Sequence, residues 1–242
     1  MKKLEFGLIG VLICFGIFAM ISSQEVIKET VDILAYEVNP KTQDLKFYWK
    51  DGNEVPLGNI ENLKEHLENT DCELLFAMNA GMFKKDLSPV GLFIENGIEK
   101  SPLDLKAKGY GNFYLQPNGV FYITKSKEPV VCPTANFKVS KDIAFATQSG
   151  PMLLIDGHIH KKLNATSTNL NILNGVGVLP NGNLLFALSK SEINFYNFAS
   201  FFKSHGCQQA LYLDGFVSKA YIKDQNWEQL DGTLEIFVGI CE

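Results

Sequence analysis

Four segments share one arrangement: an apolar run meets a small polar residue, and a glycine stands beside it. Glu73–Met78 leads into Asn79-Ala80-Gly81-Met82-Phe83, and Ile143–Ala146 leads into Thr147-Gln148-Ser149-Gly150-Pro151. Asn174-Gly175-Val176-Gly177 opens a third run, and Leu211-Tyr212-Leu213 closes on Asp214-Gly215. A polar side chain at the end of a rigid strand is held in place, and the glycine lets a ligand or a second backbone come close. Any one of these is an ordinary strand end, because Asn, Asp and Gly favour turns in any case. Four together, in a chain this apolar, point to a shared polar pocket without naming a reaction. His158 and His160, two apart on a strand, share a face as a metal pair would, but no third ligand stands near them and no metal site is expected. Around Ser149 the Gly-x-Ser-x-Gly pattern is absent, which argues against a serine hydrolase.

Strands must position most of these residues. Turn dipeptides recur between apolar runs: Asp51-Gly52, Asn96-Gly97, Asn118-Gly119, Asp156-Gly157 and Asn181-Gly182. Each supplies residues that tolerate the positive φ of tight antiparallel turns. The pattern predicts hairpins joining Gly91–Glu95 to Ile98 onward, Phe113–Gln116 to Val120–Thr124, Met152–Ile155 to His158–His160, and Val176–Leu179 to Leu184–Leu188. Near the start, Ile33–Val38 and Leu45–Trp49 flank a turn at Asn39-Pro40-Lys41, so the whole reads as a meander. Two segments are helical instead. Ile60, Leu63 and Leu67 share a face behind Asn59, a good N-cap. Phe195, Phe198, Ala199 and Phe202 recur at helical spacing before Gly206, and that stripe is read as core rather than as a sugar platform. The expected fold is α+β: one domain, mostly antiparallel sheet built from hairpins, with two main helices.

The first residues carry the pattern of a secretory signal. A basic start at Met1-Lys2-Lys3 precedes an apolar run from Phe6 to Ile21, which Ser22-Ser23-Gln24 ends. Cleavage after Ser23 would leave residues 24–242 as the mature domain, periplasmic or secreted. The run is slightly short for a membrane span, which needs roughly 20 apolar residues, and no membrane association is expected after cleavage. With 46% hydrophobic and 20% charged residues the chain builds a large core, and its net charge of −5 with scattered basic residues excludes an electrostatic footprint for nucleic acid. Beyond the signal lie Cys72, Cys132, Cys207 and Cys241, an even number compatible with disulfides in an exported chain. Three pairings are possible. The position of Cys207 after a helix and of Cys241 at the last strand favours joining those two.

The segments Asn79–Phe83, Pro89–Leu92, Gln148–Met152, Asn174–Val178 and Leu211–Gly215, in that order and spacing, resemble the phosphodiester glycosidase family, and more closely its small exported bacterial branch. The resemblance spans about Leu74 to Val238. It implies a hydrolase that cuts between the anomeric carbon of a sugar and a phosphodiester oxygen, in an envelope or extracellular glycan, with no cofactor. Asn79 and Asp214-Gly215 match the family's polar site, and Ser149-Gly150-Pro151 its glycine-proline loop. Two departures stand out. Relatives carry an arginine where this chain has Leu173, and their glycine- and serine-rich stretch is reduced to Gly215-Phe216-Val217-Ser218. Arginine is a natural phosphate clamp, because its planar fork donates two parallel hydrogen bonds. Lys219, or Lys161 with Lys162, would be the substitutes.

Such cleavage needs a carboxylate for the oxocarbenium-like centre, and an acidic phosphate leaving group lessens the need for a general acid. Asp214 is the first candidate for nucleophile or base. Glu95 is the second, although a glutamate before a hairpin turn commonly faces solvent. Asn79 would bond a sugar hydroxyl or phosphate oxygen, and backbone N–H groups near Gly81 and Gly150 would cradle an anion. Gln148, Ser149, Asn174, Gly215, Ser218 and Lys219 complete the expected substrate contacts. The rival expectation is a non-catalytic glycan-binding or envelope-assembly protein that keeps the same pocket.

Overall fold

The computed structural model describes residues 32–214 and 217–242. The signal-like segment and Gly215 lie outside the described residues. Along the chain run β1 (Ile33–Val38), β2 (Leu45–Tyr48), helix α1 (Ile60–Glu68), β3 (Leu74–Gly81), β4 (Phe93–Glu95) and β5 (Ile98–Ser101). Then come β6 (Gly119–Thr124), β7 (Pro129–Pro133), β8 (Ile143–Ser149), β9 (Met152–Ile155), β10 (His158–Ile159), β11 (Asn174–Val178) and β12 (Leu184–Ser189). Helix α2 (Phe195–Ser204) precedes β13 (Ala210–Tyr212), β14 (Ala220–Ile222), β15 (Trp227–Glu228) and β16 (Ile236–Cys241). The fold is α+β, and every pairing between these strands is antiparallel.

Three sheets form, with strand orders β1-β12-β11-β13-β9-β10, β15-β14-β3-β16-β2 and β5-β4-β8-β6-β7. Their inner faces meet in one core that includes Phe47, Phe76, Phe93, Phe121, Phe186 and Val238. Tight turns at Asn96-Gly97 and Asp156-Gly157, all four residues at positive φ, close the hairpins β4–β5 and β9–β10 as their dipeptides predict. The predicted β11–β12 hairpin around Asn181-Gly182 also forms, and β6–β7 and β14–β15 are further local hairpins. Other pairings are distant: β1 with β12, β3 with β14 and β16, β2 with β16. The meander is therefore confined to its hairpins. The predicted strand over Phe113–Gln116 is instead a 3₁₀ turn, Asn112–Tyr114, because β7 and β8 occupy both edges of β6 and Pro117 has no N–H to give a ladder.

The two helices close the outer faces. In α1, Asn59 Oδ1 accepts from the Asn62 backbone N–H at 2.7 Å, and Ile60, Leu63 and Leu67 pack with Leu74, Ala77 and Phe237. In α2, Asn194 caps Asn197, while Phe195, Phe198, Ala199 and Phe202 cover Leu153, Leu185 and Tyr212. The stripe is core. Leu173 is buried in the same cluster. The disulfide joins Cys72 to Cys241, not Cys207 to Cys241. The antiparallel β3–β16 ladder sets Cys241 opposite Leu74 and leaves Cys72 just beyond it, whereas Cys207 is buried against α2.

Candidate active site

Ends of β3, β8, β11, β13 and β14 meet at one edge of the molecule, and their polar residues are tied together there. Asn79, near the end of β3, donates from Nδ2 to Asp214 Oδ2 at 2.6 Å. Its Oδ1 accepts from Asn174 Nδ2 at 3.0 Å and from the Lys219 backbone N–H at 2.8 Å. Asn174 Nδ2 also donates to the Asn79 carbonyl, and its Oδ1 accepts from the Asp214 backbone N–H at 2.9 Å. Ser149 Oγ donates to the Leu213 carbonyl at 2.6 Å, and Ser218 Oγ donates to the Asp214 carbonyl at 2.9 Å. Asn79, Asn174 and Asp214 are all buried. Buried polar groups this fully connected hold a single geometry, since breaking one bond strands its partner away from water. The network fixes the Asp214 carboxylate at the wall of a cavity of about 590 Å³.

Not every predicted residue joins that network. Gln148 is buried and points elsewhere: its Oε1 accepts from the backbone N–H groups of Leu92 and Asp104, and its Nε2 donates to the Asp104 carbonyl. It pins the loop around Asp104 to β8. Gly81 and Gly150 are needed for packing within the protein. A Cβ at Gly81 would come within 2.8 Å of Thr147 Oγ1, and one at Gly150 within 2.6 Å of Asn118 Cβ. Glu95 lies at the β4–β5 hairpin, half-buried, with its carboxyl pushed up by desolvation and partly offset by Lys100. It lines neither that cavity nor the larger one beside it.

The lysines considered as replacements for an arginine are committed elsewhere. Lys219 Nζ pairs with Asp231 at 2.5 Å. Lys161 and Lys162 line a separate cavity with His158 and His160. There His160 sets Nε2 3.1 Å from the Gln116 carbonyl and accepts from the Lys162 backbone N–H at Nδ1, and burial lowers its pKa.

Two residues near this edge escape sequence reasoning. Tyr212 is fully buried, and its phenol pKa is pushed far up by desolvation and then by the Asp214 carboxylate, with Asn112 offsetting in part. Asp214 and Asn112, the two groups that act on it, both line the cavity. Within Leu211-Tyr212-Leu213 it reads as core, and nothing in the sequence separates it from core. Glu235, just before β16, is fully buried with neither carboxylate oxygen in a well-formed hydrogen bond. Desolvation raises its pKa to about 7, and the Trp49 indole lowers it in part. The signal for Glu235 was present: a lone carboxylate inside the apolar run Leu234–Ile240.

A second cavity of about 820 Å³ adjoins the first, and the two share Met82, Phe83, Tyr110, Gly111 and Asn112. The result is a two-lobed cleft with an anchored carboxylate in its smaller lobe. Comparison with known proteins gives the chemistry a context. The family profile for phosphodiester glycosidases matches residues 73–235, which contain every polar residue of the network.

The chain belongs to the phosphodiester glycosidase family.

An uncharacterized protein of Escherichia coli K12, YigE, is 42% identical over 195 residues, covering 80% of this chain and 76% of its own. Among solved structures, the catalytic domain of zebrafish N-acetylglucosamine-1-phosphodiester α-N-acetylglucosaminidase, auto-inhibited by its pro-peptide, aligns with a TM-score of 0.60 at 14% identity. That alignment covers 87% of this chain and 82% of the zebrafish one. A candidate exported protein of Burkholderia pseudomallei K96243 aligns with a TM-score of 0.53 at 10% identity, covering 86% and 73%. At such identities the likeness is one of fold. Membership in the phosphodiester glycosidase family supports a glycosidase-type activity on a carbohydrate, and no helix among the described residues is long and apolar enough to cross a membrane.

Proposed function

We propose that this phosphodiester glycosidase is an exported hydrolase that cleaves the bond between a sugar's anomeric carbon and a phosphodiester oxygen in an envelope or extracellular glycan. The observation that carries the reading is the Asn79–Asp214–Asn174 network, which fixes one carboxylate on the wall of a cavity large enough for a sugar. Asp214 acts on the anomeric carbon as nucleophile, forming a glycosyl ester that water then hydrolyses to free the sugar and the carboxylate, or as base for a water that attacks directly. The C1–O bond breaks, its electron pair stays on the phosphate oxygen, and a phosphomonoester leaves without prior protonation. Asn79 and Asn174 are positioning residues for that carboxylate. Export is supported by the signal-like start and by the Cys72–Cys241 disulfide, since such bonds persist in oxidising compartments.

The burial of Leu173 at the position of the family's arginine favours a second reading, a glycan-binding protein without turnover. One experiment separates them. The purified protein is incubated with an N-acetylglucosamine-1-phosphodiester and the free sugar is measured, with Asp214→Asn beside it. Release by the wild type that falls about 10²–10⁴-fold in a variant of unchanged thermal stability supports the hydrolase. Release that persists in the variant removes Asp214 from the mechanism. Binding without release supports the second reading.

A further inference from the structure

The smaller lobe alone, at about 590 Å³, lies within the roughly 300–1,000 Å³ that accommodates one small ligand, and so does the larger lobe at about 820 Å³. Joined through shared walls, they call for a ligand longer than a single sugar phosphate. The larger lobe differs in chemistry. Lys84 and Lys106 line it, and neither forms an ion pair among the described residues. Asp86 draws only partly on the Lys84 charge. The lobe's one carboxylate, Asp104, is engaged by the Tyr114 hydroxyl and the Lys106 backbone N–H, each at 2.8 Å. Of the large exposed hydrophobic side chains among the described residues, the two most exposed both lie on this lobe: Tyr110, fully exposed, and Leu105, 73% exposed. Tyr110 also lines the smaller lobe. Open aromatic faces beside a cleft are typical sites for stacking a flat apolar face, such as that of a sugar ring.

We propose that the larger lobe is a second subsite, which takes the phosphate and the following sugars of a phosphate-bridged glycan chain. Tyr110 is the stacking platform between the lobes, and Lys84 and Lys106 hold the phosphate. This rests on the reading of the Asp214 lobe as the sugar site. It also places the phosphate-binding charge on two loops, after β3 and after β5, both distant in sequence from Leu173.

The test uses two probes, an N-acetylglucosamine-1-phosphate methyl diester and the same unit carrying a disaccharide on its phosphate. Calorimetric affinity and sugar release are measured for the wild type, Tyr110→Ala and Lys84→Ala/Lys106→Ala. The longer probe should bind the wild type at least roughly tenfold more tightly. Tyr110→Ala should remove most of that advantage, and the double lysine variant should weaken both probes and flatten their dependence on salt. Because these side chains are open to the cleft, the variants should fold as the wild type does. Equal affinity for the two probes, or a length advantage that survives Tyr110→Ala, overturns the proposal while leaving hydrolysis of the short probe to judge the catalytic reading. Tyr110-dependent binding of the long probe without release sustains the subsite and rejects the hydrolase. Absence of binding and release with both probes rejects both.

Discussion

Glu235 is a carboxylate held in surroundings that its type does not prefer. A carboxyl buried without a well-formed hydrogen bond is destabilised in its charged form, so it keeps its proton to about pH 7 against an ordinary value of 4.5. The folded protein therefore holds this proton more tightly than the unfolded chain. Stability from this group is intact below about pH 4.5, falls as the pH rises towards 7, and is level above it. Glu235→Gln keeps the shape and removes the titration. Urea unfolding should show the variant gaining on the wild type by about 1–3 kcal/mol between pH 5 and pH 8. Parallel pH profiles for the two proteins would show that Glu235 does not titrate in this range. Asn79 behaves differently: its amide meets three protein partners, and one of those bonds holds the Asp214 carboxylate.

At the scale of elements, α2 matters because it covers the strands whose ends carry Asn174 and Asp214. Phe198 and Phe202 are fully buried between that helix and the sheet. Truncating Phe198 to Ala removes an aromatic ring from a site that cannot collapse fully, and should cost about 3–5 kcal/mol in urea unfolding. Asn197→Ala, on the exposed side of the same turn, should stay within about 0.5 kcal/mol. A similar loss in both variants would mean that burial of the ring is not what makes Phe198→Ala costly, since alanine in place of Asn197 favours the helix. Loops show the complementary case. The segment from Ser101 to Tyr114 carries little regular structure, and Gln148 fastens it to β8 through Asp104.

For the molecule as a whole, the Cys72–Cys241 bond ties the final strand to the segment that leads into β3, across a sequence separation of 169. A cross-link that closes so long a loop restricts the unfolded chain strongly, and Cys72→Ala should lower stability by about 2–5 kcal/mol. Reductant should bring the wild type down to the variant and leave the variant unchanged. If reductant leaves the wild type unmoved, the bond contributes nothing to stability. The other two thiols among the described residues offer no substitute: burial pushes Cys132 and Cys207 up to about 11, away from the reactive thiolate.

Local periodicity alone determined much of this protein. The caps and faces of both helices, the hairpins at Asn96-Gly97 and Asp156-Gly157, and the α+β class follow from interactions between residues close in sequence. The positions of Asn79, Asn174 and Asp214 at strand ends were legible for the same reason. Tertiary structure alone decided which strand ends meet. Asn79 and Asp214 are 135 residues apart, and their contact exists because β3 pairs with β14 and β16, which no local signal specifies. Other contacts between residues far apart in sequence chose Cys72 for Cys241, turned Gln148 towards Asp104, and joined two loops into one cleft. Side-chain alternation tells a strand which face is buried. It does not tell the strand which neighbour it will have, and in this molecule the site is made by the neighbours.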